Sequence, residues 1–490
     1  MVAVCLAATA VSMGVLYSYP LYDMDLWWHL ATGRHIAETG RLLDSDPFNF
    51  TSGTDLGLRQ VLLNGYWLGQ LLLYFVWVLG GEGGLQVAKV LLPVLALGLV
   101  AWGATRIHRA ATGATLIVLV LGVLVVYDFI GLRPQLFTFV MVIAVVLALE
   151  SLTRRHESQD RLGAIWLVLP LLMLLWANLH RGFMIGTVLI GLFAVSWAAA
   201  MVRARSAWRP SDKRYLLVLG LGIVASLLNP AGVLPYIELL RFEGSVLQSR
   251  VTEYLSPITM ANRGAMLWAY WVYLLAGALI TIVTARRAPL RRTLVFVVLA
   301  AASLRAFRYV PLFVLATAPA MASSLSSMIP KRAAVGKLMR VIPIPAVAGL
   351  LVFAVAVHGD NVSMALKHRV LPGRYPEDAL RFLQQHLPQP SPIFNHYDWG
   401  GYISWRHPEW RTFIDGRVLN MDVFEDYRAT LWNPEAAFGL LDKYAIKTVL
   451  IPERTFHEGT RHPLVSVLGG SREWALIYRD DHGALILVRR

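Results

Sequence analysis

The sequence predicts a polytopic α-helical membrane protein that ends in a small α/β domain. Three observations carry this. The chain of 490 residues is 56% hydrophobic and only 16% charged, with a mean hydropathy of +0.54. Long apolar runs recur through the first 357 residues, many near the length of about 20 residues that crosses about 30 Å of hydrocarbon. Beyond them the apolar runs shorten, prolines gather at 388–392, and charges of both signs mix.

The apolar runs predict about eleven spans, at 2–19, 85–104, 113–130, 134–152, 162–179, 183–202, 214–229, 266–285, 292–304, 309–325 and 341–357. The first run, Met1 to Tyr19, could also be a cleaved signal peptide. It has no Lys or Arg in its leading residues, and it is read as an uncleaved span. Residues 66–79 are apolar but only about 14 long, and Gly80, Gly81, Gly83 and Gly84 follow. This segment is expected to be an interfacial or re-entrant helix. The run 292–304 is short as well and could be a broken helix.

Most membrane-flanking Lys and Arg lie in the loops Arg106–Arg109, Arg154–Arg161, Arg203–Arg214, Arg286–Arg292 and Lys331–Arg340. With these spans and a cytoplasmic N-terminus, all of them fall on the cytoplasmic side, as the positive-inside bias requires. The formal charge of +14 is therefore a topology signal, and no nucleic-acid partner is expected. The outer face receives the loop 20–65, the turns near 131, 180 and 306, the loop 230–265, and everything after 357. Rich Ala, Leu, Val and Arg usage fits a bacterial plasma (inner) membrane. The one cysteine, Cys5, excludes an intrachain disulfide and a cysteine metal site.

Residues 1–357 are thus expected to form the membrane domain, and 358–490 a soluble extracytoplasmic α/β domain. In the latter, Tyr375–Gln385 reads as a helix, with Ala379, Leu380, Phe382 and Leu383 apolar. A second helical stretch lies near 434–443. Strand-like runs are 392–394, 412–414, 448–451, 474–478 and 484–488. Such a domain is large enough to bury a core of its own.

The candidate chemistry starts in the loop 20–65, which holds Asp23, Asp25, Glu38, Asp44, Asp46 and Asp55. Asp23 and Asp25 flank one residue, and His29 follows Asp25 by four, so in a helix Asp25 and His29 share a face. A carboxylate at the edge of a low-dielectric region suits a proton acceptor. Two acids at this spacing could also hold a divalent cation, Mg or Mn, through oxygen. The plainer reading is an N-capping Asp and aromatic-belt tryptophans, Trp27 and Trp28.

Several basic residues fall on the outer side, against the positive-inside bias, and each needs a partner. They are Arg133, His180, Arg181, Arg305 and Arg308. A lipid-linked phosphate is one partner, because guanidinium grips phosphate as a bidentate fork. The alternative is pairing with protein acids, Asp128 being near Arg133 and Glu253 lying on the same side. In the loop 230–265, Glu238, Arg241, Glu243, Arg250 and Glu253 could border the site or be solvated. In the C-terminal domain, Asp398-Trp399-Gly400-Gly401-Tyr402 and Asp415-Gly416-Arg417 could shape a sugar-binding loop, though a strand running into Asp-Gly is first a turn signal.

There is no Walker A loop, dinucleotide glycine fingerprint, H-E-x-x-H or G-x-S-x-G string, which disfavours a nucleotide-driven pump and a metalloprotease. A transporter would be expected to place charges inside its spans, and these are nearly free of charge.

A first span, an outer loop with an Asp-x-Asp, many further spans and a C-terminal outer domain resemble the GT-C glycosyltransferases. These membrane enzymes use polyprenyl-phosphate-linked sugars and include protein mannosyltransferases, oligosaccharyltransferases and lipid A aminoarabinose transferases. The strings DMDLWWHLATGRHIAETGRLLDSDPFNFTSG, NLHRGFMIG, LLNPAG, TEYLSP, RAFRYVPLF and DWGGYISWRHPEWRTFIDGR are similar to a bacterial group of this kind. The resemblance implies a catalytic acid in the first outer loop, Asp25 or its neighbour Asp23. It implies carrier-phosphate contacts at Arg305 and Arg308. The oligosaccharyltransferase string W-W-D-x-G is missing, so Asn-glycosylation is not implied, and the aspartate pair does not decide metal use.

The expected function is transfer of a sugar, hexosyl or pentosyl and with inversion, from a polyprenyl-phosphate donor to an extracytoplasmic glycan, lipid or protein. Asp25 and Asp23 are the catalytic candidates. His29, Trp28, Arg133, His180, Arg181, Glu253, Arg305 and Arg308 are the substrate-binding candidates, and the aromatics near 27, 28 and 67 would pack on sugar or isoprenoid. The alternative is a non-enzymatic protein that binds or flips polyprenyl-phosphate glycans or assembles envelope polymers. It would need the arginines but not the acids.

Overall fold

A computed structural model of the chain describes residues 2–53, 61–129, 131–160, 163–205, 207–242, 252–265, 267–329, 343–387, 391–456 and 459–490. Asp55, Glu243, Arg250 and the basic loop 331–340 lie outside them. In chain order the described helices are α1 (Val2–Tyr17), α2 (Met24–Thr39), α3 (Val61–Asn64), α4 (Trp67–Trp102), α5 (Thr112–Val126), α6 (Gln135–Glu157), α7 (Ile165–Leu179), α8 (Phe183–Ala204), α9 (Pro210–Ser226), α10 (Leu234–Phe242), α11 (Pro257–Asn262), α12 (Trp268–Thr284), α13 (Leu290–Arg305), α14 (Val310–Met328) and α15 (Pro343–Lys367). After these come α16 (Glu377–His386), β1 (Ile393–Asn395), α17 (Gly400–Arg406), α18 (Met421–Trp432), α19 (Pro434–Lys443), β2 (Thr448–Pro452), α20 (Pro463–Gly469), β3 (Trp474–Arg479) and β4 (Ala484–Arg489).

The chain divides into two compact units, one of Met1–Pro20 with Gly83–Lys367, the other of Leu21–Glu82 with His368–Arg490. This grouping differs from a single boundary at 357. The segment 21–82 belongs with the C-terminal residues because backbone bridges tie it there. The Leu21 N–H donates to Arg369 O at 2.8 Å and the Leu371 N–H to Leu21 O at 2.9 Å. The Phe50 N–H donates to Thr412 O at 3.1 Å and the Thr412 N–H to Phe48 O at 3.0 Å.

The helical unit is a membrane bundle. Among the described residues five helices, α4, α6, α8, α14 and α15 with their flanks, are long and apolar enough to cross a membrane, and several shorter apolar helices accompany them. α6 is central, with 78% of its apolar window buried, whereas only 17% is buried for α15. The outward faces stay apolar, for example Leu275 at 68%, Ile282 at 73% and Val352 at 67% exposure, which suits hydrocarbon and not water. α7 packs on α9 and α6, α5 on α14, and α1 on α15.

The segment 66–79 forms a helical stretch of its own at the start of α4. A sharp break at Gly81 (φ 55°, ψ −147°) interrupts the helical path. That conformation is open to glycine and strained for other residues, and the unit boundary falls beside it.

The second unit carries a four-stranded sheet in the order β1-β2-β4-β3, with β1 parallel to β2 and the other pairs antiparallel. β2 is buried along its whole length, as a central strand covered on both faces must be. Phe394, Phe413, Tyr427, Val449, Leu464 and Leu485 form its core. The expected strand 412–414 does not form a ladder; Thr412 makes only isolated bridges, to Ile393 and Asn49. α16 and α19 lie where the sequence placed helices. Asn433 caps α19 and Pro434 opens it, the preferred residue types at those positions.

Candidate functional site

The candidate residues fall into two groups, one in each unit. In the unit holding the C-terminal domain, Asp23 and Asp25 start α2. Asp23 has extended backbone and is the N-cap; its Oδ1 accepts the Asp25 N–H at 3.0 Å. Asp25 sits in the first turn, where a carboxylate suits the positive end of the helix, and its Oδ1 accepts the Trp28 indole N–H at 3.0 Å. Gly40 ends the helix in the left-handed region, its N–H donating to Ile36 O at 2.9 Å.

α2 is held close to the C-terminal residues by glycines. A Cβ at Gly401 would meet Met24 O at 2.9 Å and Trp28 N at 3.1 Å, one at Gly416 would run into the Asp25 carboxylate, and one at Gly400 into Ile414 O. Close approach of backbone to backbone therefore explains the paired glycines after Trp399, and close approach of the Asp25 side chain explains the glycine after Asp415.

Trp28 and His29 are buried, at 5% and 3% exposure. The His29 ring lies 3.5 Å from Trp28 between centroids, and its Nδ1 is 3.2 Å from Gln70 Nε2. Trp27 does not face lipid or an open cleft. It is 1% exposed and meets Tyr402 and Tyr375 edge-on, at 5.0 and 5.4 Å.

Below Trp28 lies a buried ion triad that the sequence did not reveal. Arg417 donates to Asp415 at 3.0 Å and pairs with Asp46 at 2.9 Å. Burial opposes the guanidinium charge, but the two carboxylates outweigh it and hold the Arg417 pKa above its usual value. Arg417 also lies 5.8 Å from the Trp28 ring. A further pair, Arg374 and Asp398, closes at 2.7 Å.

In the helical unit, the second group gathers at the ends of α6, α7 and α13. His180 caps α7, and its Nδ1 accepts the Gly182 N–H at 2.9 Å, with Thr138 Oγ1 2.7 Å away. Thr138 is held in turn by the Trp176 indole N–H at 2.9 Å. Burial keeps the His180 pKa well below its usual value, and Arg308, Arg181 and Arg133 push in the same direction. Its imidazole is therefore neutral, with Nδ1 an acceptor.

Arg133 and Arg308 share one carboxylate, each 3.6 Å from Glu253. The Phe307 N–H donates to Leu255 O at 2.8 Å, which fixes the Glu253 segment beside Arg308. Arg308 also covers the Tyr254 ring at 4.7 Å. Arg181 pairs with Glu238. Arg133, Arg308 and Glu253 side chains remain 30%, 25% and 31% exposed, so this group is reachable, whereas His180 at 7% is enclosed.

The structure thus brings Arg308 together with Arg133, Glu253, His180 and Arg181. Arg305 is exposed at the end of α13 and makes no ion pair among the described residues. Arg305 thus stands outside the ion pairs that join Arg133 and Arg308 to Glu253. Arg133 pairs with Glu253 and not with Asp128, which accepts from Tyr127.

Among the described residues no group of three or more His, Cys, Asp or Glu side chains could hold a metal ion. Asp23 and Asp25 supply two carboxylates, both engaged in local hydrogen bonds. This donor set does not fit a cation held by the protein alone, and no step below is routed through one.

No protein-family model matches the sequence, and no curated protein matches it. Solved structures do. The AglB oligosaccharyltransferase of Archaeoglobus fulgidus, in complex with an inhibitory peptide and a dolichol-phosphate, matches at 14% identity over 92% of this chain and 69% of that one, with a TM-score of 0.59. The Archaeoglobus fulgidus oligosaccharyltransferase in complex with Zn and sulfate matches at 12% identity over 99% and 73%, with a TM-score of 0.58. The arabinofuranosyltransferase AftD from Mycobacteria matches at 16% identity over 100% of this chain and 40% of that one, with a TM-score of 0.54. At these identities it is the architecture that is shared, a bundle of apolar helices with a further C-terminal domain. The chain shares the fold of these solved glycosyltransferases.

Proposed function

We propose that this protein is a membrane glycosyltransferase that moves a sugar from a polyprenyl-phosphate donor to an acceptor hydroxyl of a glycan, lipid or protein on the extracytoplasmic side of a bacterial inner membrane. The observation that supports it best is the reachable group in which Arg133 and Arg308 share the single carboxylate of Glu253. Guanidinium groups that stay within reach of solvent can grip phosphate as a bidentate fork, and phosphate is the membrane-borne ligand that matches that geometry. A GT-C fold, one of whose solved members holds a dolichol-phosphate, agrees with this reading.

In the proposed reaction the acceptor oxygen attacks the anomeric carbon and its proton passes to Asp25. The bond from that carbon to the phosphate oxygen breaks, and the configuration inverts. The leaving polyprenyl phosphate gains negative charge, which guanidinium groups are suited to stabilise. Asp23 caps α2 and so orients Asp25, while Trp28 holds the Asp25 carboxylate through its indole N–H.

The purified full chain in nanodiscs, given a panel of radiolabelled polyprenyl-phosphate sugars, should release label from one donor to an acceptor. Asp25→Asn keeps the oxygen that accepts from Trp28. It should bind the donor normally and lose transfer by about a hundredfold, the usual scale for losing a general base. Arg308→Gln should weaken donor binding by about tenfold. Full transfer by a folded Asp25→Asn protein would remove Asp25 from its role. Donor binding with no transfer from any lipid would favour the non-enzymatic binding or flipping reading.

A further inference from the structure

At the opposite end of the bundle lies a pocket that the proposed reaction does not use. α6 separates the two sites, because its 23 residues span about 35 Å at 1.5 Å per residue. The pocket opens between the ends of α6, α12, α13 and α14, where the basic loops lie, the face that the positive-inside bias makes cytoplasmic.

Its polar rim holds His108, Arg291 and Arg292, with Thr284 and Ser324. Arg291 is fully engaged. Its Nε donates to Glu150 at 3.2 Å and an Nη to Glu157 at 2.7 Å. Arg292 is not. One Nη lies 3.2 Å from His108 Nδ1. A guanidinium only donates, so Nδ1 accepts and the ring proton sits on Nε2. His108 Nε2 and Arg292 Nε are both buried and have no partner among the described residues. His108 is only 5% exposed, and both residues line the pocket.

A buried N–H donor without an acceptor is costly, by about 1–3 kcal/mol. The imidazole is also held firmly. A π-helical turn, Gly103–Ile107, precedes it, and the His108 N–H donates to Gly103 O at 2.9 Å. The Ser323 hydroxyl donates to His108 O at 3.1 Å. Such wide turns recur at functional sites. The charges of Arg154, Arg291 and Arg292 exceed those of Glu150 and Glu157, which favours an anion. Beyond the donors the walls turn apolar, with Phe193, Ile280, Phe296 and Met321.

We propose that this pocket binds a phosphate group whose oxygens accept from His108 Nε2–H and Arg292 Nε–H, carried by a lipid whose chain lies along the apolar wall. A photoactivatable short-chain phosphatidic acid, added to the full chain in phosphatidylcholine nanodiscs, should label peptides covering residues 280–296. Arg292→Gln and His108→Gln should each cut that labelling about tenfold, while Arg205→Gln, an exposed basic residue near the same end, should not. If either variant fails to fold, the wild-type chain still decides: the diacylglycerol analogue, which lacks the phosphate, should leave these peptides unlabelled. Insensitivity to millimolar inorganic phosphate assigns the site to a lipid. Abolition by it keeps the phosphate and overturns the lipid tail. Equal labelling by the phosphate-free analogue, or labelling untouched by both variants, overturns the proposal entirely.

Discussion

Arg417 shows how much a single residue can hold. Its side chain is only 1% exposed and pairs with the buried carboxylates of both Asp46 and Asp415. Removing one partner of a buried ionic group leaves uncompensated charge and costs about 3–5 kcal/mol. Arg417→Met should therefore lower stability by that amount in chemical denaturation followed by near-ultraviolet dichroism. Replacing all three residues with apolar ones of similar volume should cost far less, and a loss below about 1 kcal/mol for Arg417→Met would show that the acids find other partners. The sequence offered parts of this group and no more. Asp415-Gly416-Arg417 read as a turn and Asp46 as a loop acid, but 371 positions separate Asp46 from Arg417. No local pattern signals a pairing at that distance. The Glu253 contacts were partly legible, because an arginine on the unfavoured side of the membrane demands a partner.

At the level of elements, apolar run length was the strongest guide. Helices such as α5, α13 and α14 begin and end within a few residues of the runs that predict them, whereas α4 starts 18 residues before its run and α15 continues ten beyond its own. What run length cannot show is which compact unit a segment joins. Residues 20–65 read as an outer loop of the membrane domain, yet α2 packs against α17 in the unit of the C-terminal residues. Only the glycine pair hinted at it. Gly401→Ala places a Cβ against the Met24 carbonyl and the Trp28 amide, backbone atoms that cannot rotate away. It should cost about 1–3 kcal/mol, the scale of overpacking, and lower the melting temperature. Gly439→Ala in α19 is the contrast. A Cβ there meets nothing within 4 Å, so helix propensity should raise stability by about 0.5–1 kcal/mol. Similar melting shifts for both would mean that the approach of α2 to α17 is looser than described. The failed strand at 412–414 has a physical reason too: Thr412 is shared between Ile393 and the Asn49 segment, so it bridges two segments and extends neither into a ladder.

At the scale of the whole molecule, the C-terminal unit should lose stability in acid. The C-terminal unit buries two histidines without compensating protons. His396 and His462 lie 5.7 Å apart between ring centroids. Burial is the main cause that pushes each down to about 4; for His396 the His462 and Arg374 charges add to this and Asp398 opposes it. His462 has no partner on either ring nitrogen among the described residues. It packs on Trp432 at 5.0 Å instead. Unfolded histidine titrates near 6.5, so between about pH 6.5 and 4 the unfolded chain binds protons that the folded unit refuses. Stability then rises with pH across that window. It is fully present above about 6.5 and lost as the pH falls toward 4, by at most about 3 kcal/mol for each histidine. In thermal melts of the full chain in detergent, wild type should lose stability over this window. His462→Phe, which keeps a ring against Trp432 but cannot bind a proton, should lose markedly less. Because the variant and wild type share every other titrating group, the difference between their pH profiles isolates this histidine. Parallel profiles would mean that acid enters the unit by another route, with the His396–His462 contact yielding before either ring charges.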